Sequence, residues 1–171
     1  QDQTVDSLRH AAKSQARTLF ERLDFAEKEL EFISFKILGH TIDSPRGLDA
    51  KAHDRMLKWF KSITLFASPH HPQPILNRLA LQSLPLEADD IKHLSAGHTL
   101  LVEMRLPQSG PAILMLRLVD PARSAGGYLV AEINLDNLWV SDEIKNLPLD
   151  TELCILDSFY NILYSSRPDT T

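Results

Sequence analysis

From Val5 to about Leu38 the apolar residues recur every three or four positions: Val5, Leu8, Ala12, Ala16, Leu19, Leu23, Ala26, Leu30, Ile33 and Ile37. That spacing draws one stripe along an α-helix. Neither Pro nor Gly interrupts it before Gly39. The pattern therefore predicts a single helix roughly 50 Å long, at about 1.5 Å per residue. Asp2, Gln3, Thr4 and Asp6 suit its N-terminus, where side-chain acceptors and negative charge are favoured. The stripe slips phase between Ala12 and Ala16 and then repeats in heptads, as a stutter does in a coiled coil. Phe20, Phe25, Phe32 and Phe35 flank it. The second half is thus expected to pack over a wide arc, and the first half, with Lys13, Gln15, Arg17 and Glu21, to stay solvated. Gly39 is the expected stop, as the residue just past a helix.

Beyond Gly39 short elements follow. A helix is expected from about Leu48 to Phe60, with Ala52, Met56 and Trp59 on one face. Ile63 to Ala67 reads as a strand, and Ile75 to about Leu81 as its return. The segment Pro69-His70-His71-Pro72-Gln73-Pro74 between them is expected to be a turn, because its prolines lack ladder donors. Leu86 to Leu94 reads as a short helix ended by Gly97. His98 to Leu106 and Ala112 to Asp120 alternate and are joined by the turn residues of Pro107 to Pro111. Tyr128 to Asn134 is a third strand, Leu135 to Ile144 a short helix, and Glu152–Leu156 with Asn161–Tyr164 a last hairpin.

Alternation assigns the two faces of the three central strands. One reads Leu100, Val102, Met104, Leu106, then Ala112, Leu114, Leu116, Leu118, then Leu129, Ala131, Ile133. It is wholly apolar, and the long helix is its expected cover. The other reads Leu101, Glu103, Arg105, then Ile113, Met115, Arg117, Val119, then Tyr128, Val130, Glu132, Asn134. The expected fold class is α+β: a long N-terminal helix on a central antiparallel sheet. The expected divisions are 1–39 for the helix, 40–147 for the sheet domain and 148–171 for the terminal hairpin. That hairpin either opens a second module or adds edge strands to the first sheet.

Composition narrows the function. A net charge of −5 with scattered basic residues argues against nucleic acid as a partner, since phosphates need a basic field. Cys154 is the single cysteine, so no intrachain disulfide is available. Its apolar neighbours Leu153, Ile155 and Leu156 predict a buried, inert thiol. No apolar run reaches the 18 residues of a membrane span. The first residue is Gln1, and the last, Thr171, follows closely on a strand-like run. The chain is therefore expected to be one part of a longer protein, with transmembrane segments outside it.

The order long helix, short helix, hairpin, helix, three-stranded meander, short helix, new hairpin resembles the Cache domains, the PAS-like periplasmic sensors of bacterial receptors. The likeness is carried by Leu94-Ser95-Ala96-Gly97-His98-Thr99-Leu100, by Gly127-Tyr128-Leu129-Val130-Ala131-Glu132-Ile133-Asn134, by Leu135-Asp136-Asn137-Leu138-Trp139, and by the run Thr151 to Ser166, which resembles the opening hairpin of a second module. The resemblance implies the periplasmic domain of an inner-membrane receptor. It also implies a homodimer through the long helix and an output domain such as a diguanylate cyclase, phosphodiesterase, histidine kinase or chemoreceptor module. No Arg-x-Trp-Tyr pattern of amino-acid-binding members is present, so no ligand is implied. The rival expectations are a periplasmic dimerisation or protein-interaction module without a small ligand, and a cytoplasmic PAS-like regulator.

The resemblance also implies a ligand between the sheet and its covering connections. On that basis the mixed face supplies the candidate ligand-binding residues Arg105, Arg117, Tyr128 and Glu132, with Trp59 nearby on the second helix. The arginine forks suit an anionic small molecule. The rival reading is a face whose charges pair with one another. No cofactor and no metal is expected. His70 and His71 are adjacent and do not converge, His93 and His98 are five apart across a helix end, and there is no His-Glu-x-x-His. No catalytic residue is expected either, as no Gly-x-Ser-x-Gly elbow or phosphate-binding glycine loop occurs. Asp89 and Asp90 are expected to cap a helix start.

Overall fold

The computed structural model describes residues 2–39, 50–67, 72–79, 81, 83, 84, 86–107, 110–123, 126–139, 152–156, 158, 160 and 162–165. In chain order the elements are α1 (Asp2–Leu38), α2 (Ala50–Trp59), β1 (Phe60–Phe66), β2 (Pro72–Leu76), α3 (Ala88–Ser95), β3 (Leu100–Leu106), β4 (Gly110–Leu118), β5 (Tyr128–Ile133), α4 (Leu135–Trp139), β6 (Cys154–Leu156) and β7 (Ile162–Ser165). The chain is α+β, with a long N-terminal helix and a five-stranded antiparallel sheet. The start of the second helix at Leu48 and the run of the last helix to Ile144 lie outside the described residues.

The chain divides into two compact units, and the division falls inside α1 rather than at Gly39. One unit runs from Ala26 to Asn134. It holds the end of α1, then α2, α3 and the sheet, whose strand order is β2-β1-β5-β4-β3. The other comprises the chain up to Phe25 and from Leu135 onward. There, among the described residues, β6 and β7 pair with each other alone, as a separate two-stranded sheet. They are not edge strands of the larger one.

Register decides the two faces of the large sheet. Leu100 lies opposite Leu116 and Val102 opposite Leu114, as alternation predicts. On the next strand, however, Leu114 faces Glu132, Leu116 faces Val130 and Leu118 faces Tyr128. So β5 stands one residue out of the expected phase. Tyr128, Val130 and Glu132 join the leucine-rich face, and Leu129, Ala131 and Ile133 join the face of Arg105 and Arg117. A one-residue slip exchanges every side chain between faces. Alternation could not see this, because β5 is a central strand buried on both sides, and such strands read as continuous apolar runs.

The slip also relocates the long helix. With Leu129, Ala131 and Ile133 beside Met115 and Ile63, the second face becomes apolar enough to bury a helix stripe. Ala26, Leu30 and Ile33 of α1 are fully buried, with Met56 of α2. Glu31 pairs with Arg117, which points from this same face. The Ser34 hydroxyl donates to the Leu118 and Val119 carbonyls at the end of β4. The face predicted for the helix is covered instead by Leu94 of α3 and the connection carrying Leu79, Leu81, Leu84 and Leu86. Burying each large aliphatic side chain stabilises by about 1.5–3 kcal/mol, so two apolar faces each need a lid.

The flanking phenylalanines are not core. Phe20, Phe25, Phe32 and Phe35 are all exposed, Phe35 by 71%. The helix buries a narrow stripe rather than a wide arc. Phe32 is partly shielded by Lys36 and Arg55, which sit 5.3 and 5.6 Å from its ring centroid. The proline-rich segment does more than turn, since Pro72–Leu76 is a strand paired with β1. Its place at the sheet edge tolerates the missing donors. At α3, Asp90 accepts from the Glu87 backbone N–H, the capping expected of the acidic pair.

Two glycines separate strain from space. Gly127 has φ +82°, and an added Cβ would lie 2.5 Å from the Phe66 carbonyl oxygen and 2.7 Å from Ala67 Cα. Gly110 has φ +75° with nothing within 4 Å. Gly127→Ala is expected to destabilise by about 3 kcal/mol, since backbone must move, and Gly110→Ala by only about 1 kcal/mol of left-handed strain. Urea unfolding of the two variants reads the difference.

Candidate ligand-binding face

The five residues expected to form a site do not converge. Arg117 lies on the helix-covered face and is already satisfied. One nitrogen donates to Glu31 Oε1 at 2.7 Å and the other to Thr99 Oγ1 at 3.2 Å. Arg105 shares that face but is exposed on the edge strand β3, opposite Pro111. Six residues of β4 separate Pro111 from Arg117, roughly 20 Å at about 3.4 Å per residue. Tyr128 and Glu132 stand on the opposite face. Trp59 ends α2, where its carbonyl accepts from the Asn134 backbone N–H at 2.8 Å and its ring lies under Lys58 Nζ. That is the far end of β5 from Leu129, the partner of Arg117. The co-facial cluster expected from alternation is therefore dissolved by the register of β5.

The structure assembles a different group. Ser62 lies opposite Glu132, and Thr64 opposite Val130. Ser62, Thr64 and Glu132 therefore share the leucine face across β1 and β5, the face covered by α3 and the leucine-rich connection. All three are buried, Thr64 to within 2% and Glu132 to within 9% of full burial. Ser62 Oγ donates to Glu132 Oε2 at 3.3 Å. Bonds of this type usually span about 2.5–3.0 Å, so the contact is weak. Thr64 Oγ1 has no hydrogen-bond partner among the described residues. Among the described residues no cation pairs with Glu132. Tyr128 stands on the same face, four residues along β5 and opposite Phe66.

Sequence reasoning misses Ser62 and Thr64. The only signal is the alternation Ser62-Ile63-Thr64-Leu65, which any half-buried strand shows. It finds Glu132, but with the wrong companions.

Other candidates resolve without a site. The His93 and His98 rings meet at 4.9 Å between centroids, closer than their spacing suggests. His93 Nε2 bonds the Thr99 carbonyl at 3.1 Å, so that nitrogen carries the proton. Among the described residues no group of three or more His, Cys, Asp or Glu could hold a metal ion. His70 and His71 lie outside those residues. No described helix is long and apolar enough to cross a membrane.

In the unit of the two termini, Ala12, Ala16, Leu19, Leu138, Leu153 and Ile155 line an apolar cavity of about 160 Å³. Arg22 donates to the carbonyls of Asn137 and Leu138 beside it, at 2.9 and 3.0 Å, capping α4. Cys154 is exposed, not buried as its apolar neighbours predict. A three-residue strand in a two-stranded sheet alternates one side to solvent. Its thiol is nevertheless held above the ordinary value, first by desolvation and then by Glu152, whose carboxylate accepts from Sγ at 3.4 Å and repels a thiolate.

Comparison with protein-family models gives no match, and comparison with curated proteins gives none.

Two outcomes are expected. Cys154 should alkylate with iodoacetamide more slowly at pH 8.5 than a free cysteine, because less of it is thiolate, and Glu152→Gln should speed it. A double-mutant cycle of Arg117→Met and Glu31→Gln in urea should give a coupling of about 0.5–1 kcal/mol, small because Glu31 is largely exposed.

Proposed function

We propose that this chain is the extracytoplasmic ligand-sensing domain of a membrane-bound bacterial signalling protein, acting through α1 on a cytoplasmic output domain. In this reading it lies in the periplasm, binds a small molecule and does not catalyse. The observation that carries the reading is how the sheet domain is layered. One face of the sheet is bound directly to α1 through Ala26, Leu30, Ile33, the Arg117–Glu31 pair and the Ser34 hydrogen bonds. The other is covered by a connection and a short helix, and holds polar groups left under-satisfied. A ligand displacing that cover would bear on the sheet that seats the helix. The reading rests on the resemblance to PAS-like sensors, and the sheet it concerns is five-stranded and antiparallel in the order β2-β1-β5-β4-β3. A ligand shifts such an arrangement only by binding its two states unequally.

A second reading has its own observation. Phe32, Phe35 and Leu38 are exposed at steps of three along α1, a contiguous apolar strip of the kind that marks interaction surfaces. It favours a homodimer through the N-terminal helix, with or without a small ligand. The anionic class expected of the ligand loses its support, because Arg117 is neutralised and Arg105 stands apart.

Sedimentation velocity should show a concentration-dependent dimer, and Phe35→Glu with Phe32→Glu should leave a monomer of unchanged circular dichroism. A thermal-shift library of organic acids, amines, amino acids and uncharged compounds should yield a saturable rise in Tm. Hydrogen exchange of residues 26–38 should change at saturation. A library without any saturable shift, on a protein that still dimerises, decides for the interaction module.

A further inference from the structure

We infer that the buried face of β1 and β5 takes a cationic ligand, an ammonium group attached to a small apolar body, with Glu132 as its counter-ion. This inference rests on the ligand-sensing reading and names the chemistry of its site.

The argument starts from what Glu132 lacks. A carboxylate withdrawn from water costs several kcal/mol unless it is paired and fully hydrogen-bonded. Glu132 is over nine-tenths buried and receives one long hydrogen bond, from Ser62. No described Lys, Arg or His reaches it. Two residues along β1 from Ser62, on the same face, Thr64 Oγ1 is buried with no hydrogen-bond partner among the described residues. A hydroxyl so placed can accept as well as donate. The three groups together offer an anionic acceptor, a hydroxyl already turned toward it and a free hydroxyl oxygen. An ammonium supplies three donors and no acceptor, which is the complement of that set. An anion could accept from a hydroxyl here but would be repelled by the Glu132 carboxylate.

The surroundings define the rest of the ligand. Leu114 lies opposite Glu132, and Phe66 stands two residues beyond Thr64 on the same face. Leu79 and Leu94 come from the cover. These are surfaces for an alkyl or aromatic body, not for a second charge. Affinity then comes from a desolvated charge pair and apolar contact, the usual composition of a small-molecule site.

The test uses a matched pair of probes, butylammonium chloride and sodium butyrate, which share an apolar body and differ in charge. Butylammonium should raise the Tm of the wild-type chain saturably, as a ligand of the folded state does, and butyrate should not. Glu132→Gln keeps the shape and removes the charge, and should weaken the amine response tenfold or more. Should that variant fail to fold by circular dichroism, Ser62→Ala and Thr64→Val each test the site, with an expected loss of several-fold. Stabilisation by butyrate, or an amine response undiminished in Glu132→Gln, overturns the inference. A shift with only uncharged or anionic compounds overturns the cationic class and leaves sensing intact. Silence across the whole library overturns sensing itself.

Discussion

The pairing of Leu114 with Glu132 sets everything else in the sheet domain. It places β5 against β4 in one of two possible phases, and side chains have a period of two, so no intermediate exists. In the phase adopted, Leu129, Ala131 and Ile133 convert a face marked by two arginines into an apolar seat for α1. The same choice carries Glu132 and Tyr128 to the leucine face, beside Ser62 and Thr64. Helix placement and candidate site therefore follow from one register. Gly127 helps hold it: its carbonyl accepts from Val119, and its backbone passes too near Phe66 and Ala67 for any side chain.

Polar groups do different work on the two sides of this sheet. On the helix side they are satisfied: Arg117 by Glu31 and Thr99, Ser34 by two strand-end carbonyls. These contacts orient α1 and add modestly to stability, because the Glu31 end is open to water. On the leucine side, a carboxylate and a hydroxyl are buried with too few partners. Native interiors seldom leave such groups unmatched. An unmatched set on the face away from the helix is what distinguishes this sheet from a simple two-layer scaffold.

Much of the fold is legible in the residue pattern. The long helix is readable because its stripe runs without Pro or Gly, and the faces of β3 and β4 because Glu103, Arg105 and Arg117 mark one of them and the other is wholly apolar. Leu106 pairs with Gly110 at the end of the β3–β4 hairpin. The candidate site is not legible. Arg105, Arg117, Tyr128 and Glu132 fall together only if alternation is carried across β5, and a strand buried on both faces holds no alternation to carry. The phenylalanines mislead for a related reason. Hydrophobicity places residues inside on average, yet much of any protein surface is apolar, and the helix has only a narrow seat to fill.

What the sequence determined by itself is local: which segments are helical, where most strands lie, that Gly39 follows a helix, and that Asp90 caps one. These depend on neighbours within a few residues, whose spacing the chain displays. What tertiary structure alone decided is which face each strand turns to, which side of the sheet α1 covers, and where the units divide. It also decided that Ser62, Thr64 and Glu132 share one buried face. Those outcomes depend on pairing between residues as much as 86 positions apart. For such pairs, two registers bury similar apolar area in each strand, and only the packing of the whole sheet tells them apart.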